Sequence, residues 1–252
     1  MMYRILSTNV LCWGDEAHDI EIRIPLLTKM LRNSLPDSFG VQEAHKQWMD
    51  AISAALPEYA YVGVGREDGA EEGEYSAVFY RKDKFTAEES NTFWLSETPE
   101  KPGLGWDARC PRVCTWVKLK DKATGKEYVH MNTHLDHVGI IARVEGVKLI
   151  KQTAASFGGV PVVCTGDFNV PEGTDCYVEM VKGNMGDTRY MAPDSDDSFT
   201  FHAFKPETTR ERIDYVFADK ETVRPLTFKV LNYKIEDVFY SDHYAVYADV
   251  EL

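Results

Sequence analysis

Short apolar runs at β-strand spacing dominate the hydrophobic pattern of the chain, and three longer stretches show helical spacing instead. Runs rich in β-branched and aromatic residues and bounded by turn formers predict strands. We place these strands at residues 3–9, 38–42, 59–64, 75–80, 85–93, 113–119, 128–133, 160–164, 213–217, 225–231 and 244–250. The first predicted helix has Pro25 in its opening turn, the second opens at Glu43, and the third covers residues 139–156.

Many strands with few helices predict an α+β fold. We expect a four-layer α/β/β/α sandwich, in which two mixed sheets face each other and the helices lie outside. The charged stretch 66–73 is expected to be a hairpin loop. We expect residues 1–252 to form a single domain, because the chain shows no Pro/Ser/Gly-rich linker, no low-complexity tract and no repeat.

Polar and charged residues occur at or beside the ends of several predicted strands. They are Asn9, Glu43, His134, Asp167, Asn169, Asp214, Asp242 and His243. In a sandwich of sheets, strand ends can gather at one edge, so residues far apart in sequence can share one site. Carboxylate, carboxamide and imidazole groups are those a hydrolase uses to hold a divalent metal and a phosphate.

The charge of the chain limits its partners. Its 252 residues include 41 acidic and 28 basic ones, which gives a net charge of −13. A non-specific duplex binder sets many Lys and Arg residues against phosphates, so this balance disfavours such a protein. Small-molecule substrates and single-stranded nucleic acids remain compatible with this net charge.

The cysteines and the apolar segments allow a prediction of the cellular compartment. The five cysteines show no paired metal-ligand spacing, and we expect reduced, structural thiols. Neither a signal peptide nor a membrane span is recognisable in the sequence. We therefore expect a cytoplasmic protein with no membrane partner, and no obligate protein partner is evident.

Seven short motifs occur in the order known from one family. They are Ser7-Thr-Asn9, Val41-Gln-Glu43, Glu74-Tyr-Ser-Ala-Val-Phe-Tyr80, Asn132-Thr-His134-Leu, Gly166-Asp-Phe-Asn169, Arg212-Ile-Asp214-Tyr and Ser241-Asp-His243. The chain thereby resembles the endonuclease/exonuclease/phosphatase superfamily, which has the DNase I-like fold. Residues 94–99, 105–112 and 115–116 are similar to compact bacterial members near the deadenylase and nocturnin branch. Residues 165–170 and 210–214 depart from the inositol 5-phosphatase patterns.

The resemblance implies a metal site of oxygen ligands. Mg²⁺ is the expected ion, with Mn²⁺ as the alternative, and its implied ligands are Glu43, Asn9 and Asp242. The structural alternative for Glu43 is a helix-start residue that interacts with the helix dipole. For Asn9 the alternative is a turn former.

The same resemblance implies a catalytic set. Asp167 would orient or deprotonate the attacking water, and Asn169 would donate its amide to a phosphate oxygen. His243 paired with Asp214 would stabilise the charge that grows on the pentavalent phosphorus. His134 would act from the opposite side, with Glu74 as its acidic partner. The alternative for the Gly166–Asn169 segment is an Asx-type turn, and the one for Glu74 is solvated surface.

Two further residues are candidates for substrate binding. Arg112 is expected to contact a substrate phosphate, and Trp106 to stack on a base or sugar. Core packing explains Trp106 equally well.

The sequence therefore predicts a Mg²⁺-dependent hydrolase of phosphate esters, whose partner is a nucleic acid or a nucleotide-like substrate. We favour a nuclease, such as a 3′–5′ exonuclease on short or single-stranded nucleic acid. A phosphatase or phosphodiesterase on a small metabolite or nucleotide is the alternative. A non-catalytic binding protein of the same fold is the third hypothesis, although the catalytic residues that it would be expected to lose are all present.

Overall fold

The computed structural model describes residues 2–14, 18–235 and 238–252. Within them the helices are α1 (Ile20–Ser34), α2 (Lys46–Ala55), α3 (Ile140–Ser156), α4 (Asp175–Val181) and α5 (Thr188–Met191). The strands are β1 (Met2–Asn9), β2 (Ser38–Gln42), β3 (Tyr59–Val62), β4 (Val78–Arg81), β5 (Phe85–Trp94), β6 (Val113–Asp121), β7 (Glu127–His134), β8 (Val162–Asp167), β9 (Met185–Asp187), β10 (Asp194–Ser195), β11 (Asp214–Asp219), β12 (Arg224–Leu231), β13 (Lys234–Ile235), β14 (Val238–Phe239) and β15 (Ala245–Glu251).

Two mixed sheets form the body of the fold. The first has seven strands in the order β10-β12-β15-β1-β2-β4-β3, and the second has six in the order β5-β6-β7-β8-β11-β9. β13 and β14 pair antiparallel in a small separate two-stranded sheet. The predicted sandwich of two facing sheets with helices outside is confirmed.

Three apolar clusters hold the four layers together. One lies between the first sheet and helices α1 and α2, and includes Leu31, Trp48 and Ile52. Another lies between the second sheet and helices α3 and α4. The third, with Ile5 and Val163, fills the space between the sheets. Strands buried on both faces read as continuous apolar runs, which explains the sequence pattern of β8. No helix of the described ranges is long and apolar enough to cross a membrane.

Two predicted helix starts are wrong. Helix α1 begins at Ile20, five residues before Pro25, because Asp19 caps it by accepting a hydrogen bond from the Glu21 N–H at 2.8 Å. Helix α2 begins only at Lys46, because Glu43 adopts a left-handed backbone with φ of 59°. Glu43 is therefore not part of the helix, and the structural alternative of a helix-start glutamate does not apply.

The hairpin around residues 66–73 is present but shorter than predicted. Strands β3 and β4 pair antiparallel, from Tyr59 opposite Arg81 to Val62 opposite Val78. Tyr75 lies outside β4 and makes an isolated bridge with Ala44, to whose carbonyl its N–H donates at 2.8 Å. This bridge holds the segment before β4 against the end of β2.

Candidate active site

Strand direction brings the predicted site residues to one edge of the sandwich. β1 and β2 run parallel and end together at Asn9 and Gln42. On the facing sheet β7 and β8 run parallel, so that His134 lies opposite Asp167. β11 and β15 are antiparallel to β8 and β1, so they begin at the same edge. The gathering of strand ends expected from the sequence is what the structure shows.

Asn9 joins two carboxylates across the gap between the sheets. Its amide nitrogen donates to Glu43 Oε1 at 2.9 Å and to Asp167 Oδ2 at 3.0 Å. Its amide oxygen accepts from the Leu11 N–H at 2.9 Å. In this arrangement Asn9 turns its nitrogen towards the acids and positions them. Its role as a direct metal ligand stays a prediction.

His243 and Asp214 form a tight pair. His243 Nδ1 lies 2.8 Å from Asp214 Oδ2, and both side chains are buried. Burial disfavours the imidazolium, but the charge of Asp214 and its hydrogen bond outweigh this and raise the pKa of His243 to about 10. The ring is therefore a cation at neutral pH, and its Nε2 lies 3.8 Å from Asp167 Oδ2.

His134 approaches Asp167 from the other side. Its Nε2 lies 3.6 Å from Asp167 Oδ2, and its Nδ1 lies 3.5 Å from Glu74 Oε2. Asn169 has a left-handed backbone with φ of 52°, and its N–H donates to Asp167 Oδ1 in an Asx turn. Its amide nitrogen lies 3.0 Å from His134 Nε2 and donates to the Leu135 carbonyl at 2.9 Å. Asn169 thus orients His134, and its donation to a substrate phosphate stays a prediction.

The Glu74 carboxylate interacts with several basic side chains. Its Oε2 binds Arg66 and lies 3.8 Å from Arg112. Burial alone would raise its pKa, but the hydrogen bond and charge of His134, with the two guanidinium groups, lower the pKa of Glu74 to about 2. Glu74 is therefore a partly buried, ionised partner of His134 and not solvated surface.

The acids of the site repel one another. Burial, and then the charge of Asp214, raise the pKa of Asp167. Burial, with the charge of Glu43, also raises the pKa of Asp242. In Glu43 burial is outweighed by the charge of His134 and by hydrogen bonds from Asn9 and Cys12, which lower its pKa.

A divalent cation would relieve this repulsion. Ligand-type atoms of Glu43, His134 and Asp167 lie within 4.8 Å of one another. The carboxylates of the cluster are hard oxygen donors, and Asp242 adds another beside His243, at 4.0 Å. The donor set therefore fits the divalent ion that the sequence implies.

A chain of buried polar side chains between the sheets holds the strand ends in register. Gln42 donates to Asn132 Oδ1 at 2.7 Å, Thr165 donates to the same oxygen at 2.9 Å, and His130 lies 2.9 Å from Thr165. A Cβ at Gly40 would lie 2.2 Å from Asn132 Oδ1, so only glycine leaves room for this contact. Residues 42, 132 and 165 stand one or two positions before Glu43, His134 and Asp167.

A pocket of about 440 Å³ opens beside the catalytic groups. It is lined by Leu11, Cys12, Trp13, Glu43, Arg66, Glu74, Cys110, Arg112, His134, His137 and Asn169. Arg112, a predicted substrate contact, is thus brought to the site. Trp106 is not among the lining residues: it is half-buried, with φ of 47°, and its backbone N–H donates to Glu97 Oε2.

Sequence reasoning missed several neighbours of the site. The prediction of a structural thiol does not describe Cys12, which is half-buried in the pocket and donates to Glu43 Oε2 through both its N–H and its thiol. Arg66 binds Glu74 from the loop predicted to be merely charged. Trp13 is 74% exposed beside them. The signal for Cys12 and Trp13 was their position directly after the first motif.

Comparison with known proteins agrees with this geometry. The model of the Endonuclease/Exonuclease/phosphatase family matches residues 25–243. The chain belongs to this family. A member from Bacteroides vulgatus is 36% identical, covers 100% of this chain and 99% of its own, and superposes with a TM-score of 0.95.

Two other solved structures extend the comparison. A mannosyl-6-phosphatase of Bacteroides thetaiotaomicron is 34% identical, with 99% of this chain and 100% of its own covered and a TM-score of 0.94. The human nocturnin catalytic domain is 18% identical, with 99% and 94% covered and a TM-score of 0.79, which shows a shared fold. Phosphoester hydrolysis by a family member with the DNase I-like fold is therefore the activity to explain.

Proposed function

We propose that the protein is a metal-dependent phosphatase of small phosphate monoesters, with sugar phosphates as the first candidates. One observation carries this proposal. Arg112 is only 5% exposed and lines the pocket beside His134 and Asn169, yet its Nε and Nη1 donors have no hydrogen-bond acceptor among the described residues. Its Nη2 lies 3.1 Å from His137 Nδ1. Asp136 Oδ2 lies 3.5 Å from Nε, so this buried guanidinium has a charge partner, but Nε and Nη1 make no hydrogen bond and are suited to bind a phosphate dianion.

The pocket is unlike a groove for a polymer. Its charged lining sets two arginines, Arg66 and Arg112, against two glutamates, Glu43 and Glu74. Binding along a nucleic-acid backbone needs an excess of cations, and the whole chain carries a net charge of −13. A volume of about 440 Å³ is in the range of small-molecule sites. The 34% identity to a mannosyl-6-phosphatase supports a sugar phosphate.

The residues would divide the chemistry as follows. Asp167 accepts a proton from the attacking water, and its raised pKa makes it a better base than an ordinary aspartate. The new P–O bond forms as the ester P–O bond breaks, and the leaving alkoxide takes its proton from solvent. His243, a cation held by Asp214, donates to a non-bridging oxygen, and His134 faces the phosphate from the opposite side.

The proposed ion is Mg²⁺, with Mn²⁺ as the alternative. Glu43 and Asp242 would hold it, and Asn9 would either join them or keep Glu43 in place. When bound, the ion neutralises charge on the phosphate as a Lewis acid.

A nuclease, which the sequence analysis favours, is the second candidate. It is supported by one exposed surface beside the pocket. Trp13, 74% exposed, lines both this pocket and a neighbouring one of about 480 Å³, which Phe204 and Lys205 also line. Aromatic and basic side chains of this kind can stack on and hold the bases of a single strand.

The test is phosphate and nucleotide release from a panel of sugar phosphates, nucleotides, single-stranded RNA and single-stranded DNA, with Mg²⁺ and with chelator. We expect chelator-sensitive phosphate release from a sugar phosphate. Mononucleotide release from RNA or DNA, without phosphate release from any monoester, would replace the proposal by the nuclease. No hydrolysis by folded, Mg²⁺-loaded protein would leave only the binding protein.

Arg112 provides a sharper test of the phosphate contact. The substitution Arg112→Met should raise KM for the preferred monoester by about 10- to 100-fold, because a charge-assisted hydrogen bond contributes roughly 1.5–3 kcal/mol. Arg109→Met, on the same loop but exposed, is the matched control. An unchanged KM in the Arg112 variant would contradict the proposed anchor.

A further inference from the structure

A second group of ligand-type side chains lies beside the pocket, and two of its three members line the pocket. The Cys12 thiol, a His45 ring nitrogen and a Glu74 carboxylate oxygen lie within 4.8 Å of one another. All three residues are partly exposed, so an ion from solvent can reach them. The group differs from the oxygen-rich cluster around Asp167 because it contains sulfur.

Glu74 faces this group with a different oxygen from the one that serves the catalytic site. Its Oε2 contacts Arg66, Arg112 and His134. Its Oε1 faces the Cys12 sulfur at 3.7 Å. One carboxylate therefore connects the two groups.

The backbone fixes the relative positions of the three residues. In the antiparallel bridge between Ala44 and Tyr75, the residue after the first lies opposite the residue before the second, so His45 faces Glu74. Cys12 is held by the bond from its N–H to Glu43 Oε2 at 3.0 Å. Main-chain contacts thus bring the three residues together, and the side-chain rotamers set the distances between their ligand atoms.

We propose that Cys12, His45 and Glu74 form an inhibitory site for a thiophilic divalent cation such as Zn²⁺. Thiolate, imidazole and carboxylate are the ligands that Zn²⁺ takes, whereas Mg²⁺ avoids sulfur. Tetrahedral Zn²⁺ places its ligands about 3.5 Å apart, so small side-chain rotations close this group around an ion. On binding, the thiol releases its proton to solvent, a Zn–S bond forms, and water completes the coordination.

Occupancy of this site would oppose catalysis. A cation on Glu74 Oε1 competes with His134 for the negative charge of this carboxylate, whose other oxygen lies 3.5 Å from His134 Nδ1. It would also lie against Cys12 and Glu74, which line the pocket. The proposal concerns metal binding beside the pocket and does not depend on which phosphate ester is the substrate.

The direct test is titration of the full chain with Co²⁺, a spectroscopic stand-in for Zn²⁺, in saturating Mg²⁺. We expect a thiolate-to-cobalt charge-transfer band that Zn²⁺ abolishes by displacement. Cys12→Ser should lack the band, and Cys110→Ser, which removes another half-buried thiol of the same pocket, should retain it. A band that persists in Cys12→Ser would overturn the assignment.

His45 gives a second variant that does not depend on the thiol. It precedes α2 without making a side-chain capping bond, so His45→Gln removes a ligand without removing a cap. We expect Zn²⁺ affinity to fall about tenfold or more in His45→Gln, whereas His137→Gln in the same pocket keeps it. Equal Zn²⁺ affinity in wild type and His45→Gln would contradict the site.

Inhibition connects the site to activity. With each protein normalised to its own Mg²⁺-dependent rate, Zn²⁺ should inhibit wild type at concentrations about tenfold or more below those needed for His45→Gln. Failure to find any hydrolysis would leave the cobalt and zinc titrations unaffected. Binding without inhibition would refute the inhibitory role.

Discussion

The two histidines that flank Asp167 are held in different ways. His243 Nδ1 lies 2.8 Å from Asp214, in a pair buried against the sheet. His134 Nδ1 lies 3.5 Å from Glu74, whose carboxylate also serves Arg66. The first acid orients one imidazole only, whereas the second divides its charge among several cations. We conclude that one side of the site is rigid and the other can adjust.

The origin of this difference lies in the elements that carry the acids. Asp214 is the first residue of β11 and is paired directly with Asp167 on β8, so the sheet fixes its position. Glu74 follows a loop and is held by the isolated bridge at Tyr75 and by contacts with Arg66 of that loop. Side chains on strands are held more precisely than side chains on loops.

The largest effect is expected from Asp167→Asn, because Asp167 lies between His243 and His134 and so takes part in both sides of the site. The variant keeps the volume of the side chain but cannot accept the proton of the attacking water, so kcat should fall at least about 10³-fold. Steady-state kinetics measure this, and thermal unfolding shows whether the fold is intact. A kcat within tenfold of wild type would mean that another group is the base.

Asp214→Asn is expected to have the next largest effect and tests the rigid side. Without the carboxylate, the pKa of His243 falls from about 10, so fewer rings are protonated at neutral pH. The kcat should fall about 10²- to 10³-fold, and activity should be lost at a lower pH as pH rises. The pH–rate profile measures both, with Asp219→Asn at the other end of β11 as the control. A profile that does not move would show that the charge of His243 is not needed.

The same contrast explains how much of the site the sequence could predict. Asp214, His243, His134 and Asp167 stand at strand ends, where alternation and turn signals locate them, and the structure brings them together. Cys12, Arg66 and Trp13 come from loops, whose course depends on tertiary contacts that no local pattern records. The roles of Asn9 and Asn169 depend on which amide atom faces which partner, and only side-chain geometry shows this.

For the fold, as for the site, the main features could be predicted and the local details could not. The order of strands along the chain and the sandwich of two sheets follow from apolar periodicity, which is strong in β8 and β15. The starts of α1 and α2 were not predictable from periodicity alone. An Asp19 cap and a left-handed Glu43 decide them, and both are properties of single residues.

Glu74→Gln is expected to have the smallest effect and completes the comparison. Glutamine keeps an acceptor for Arg66 and a contact with His134 but removes the charge, so kcat should fall only about tenfold. Steady-state kinetics beside Asp214→Asn measure the difference, and Glu72→Gln, exposed in the same loop, is the control. A loss as large as that of Asp214→Asn would show that the looser pair is as essential as the tight one. In that case the distance between imidazole and acid would not indicate how much each pair contributes to catalysis.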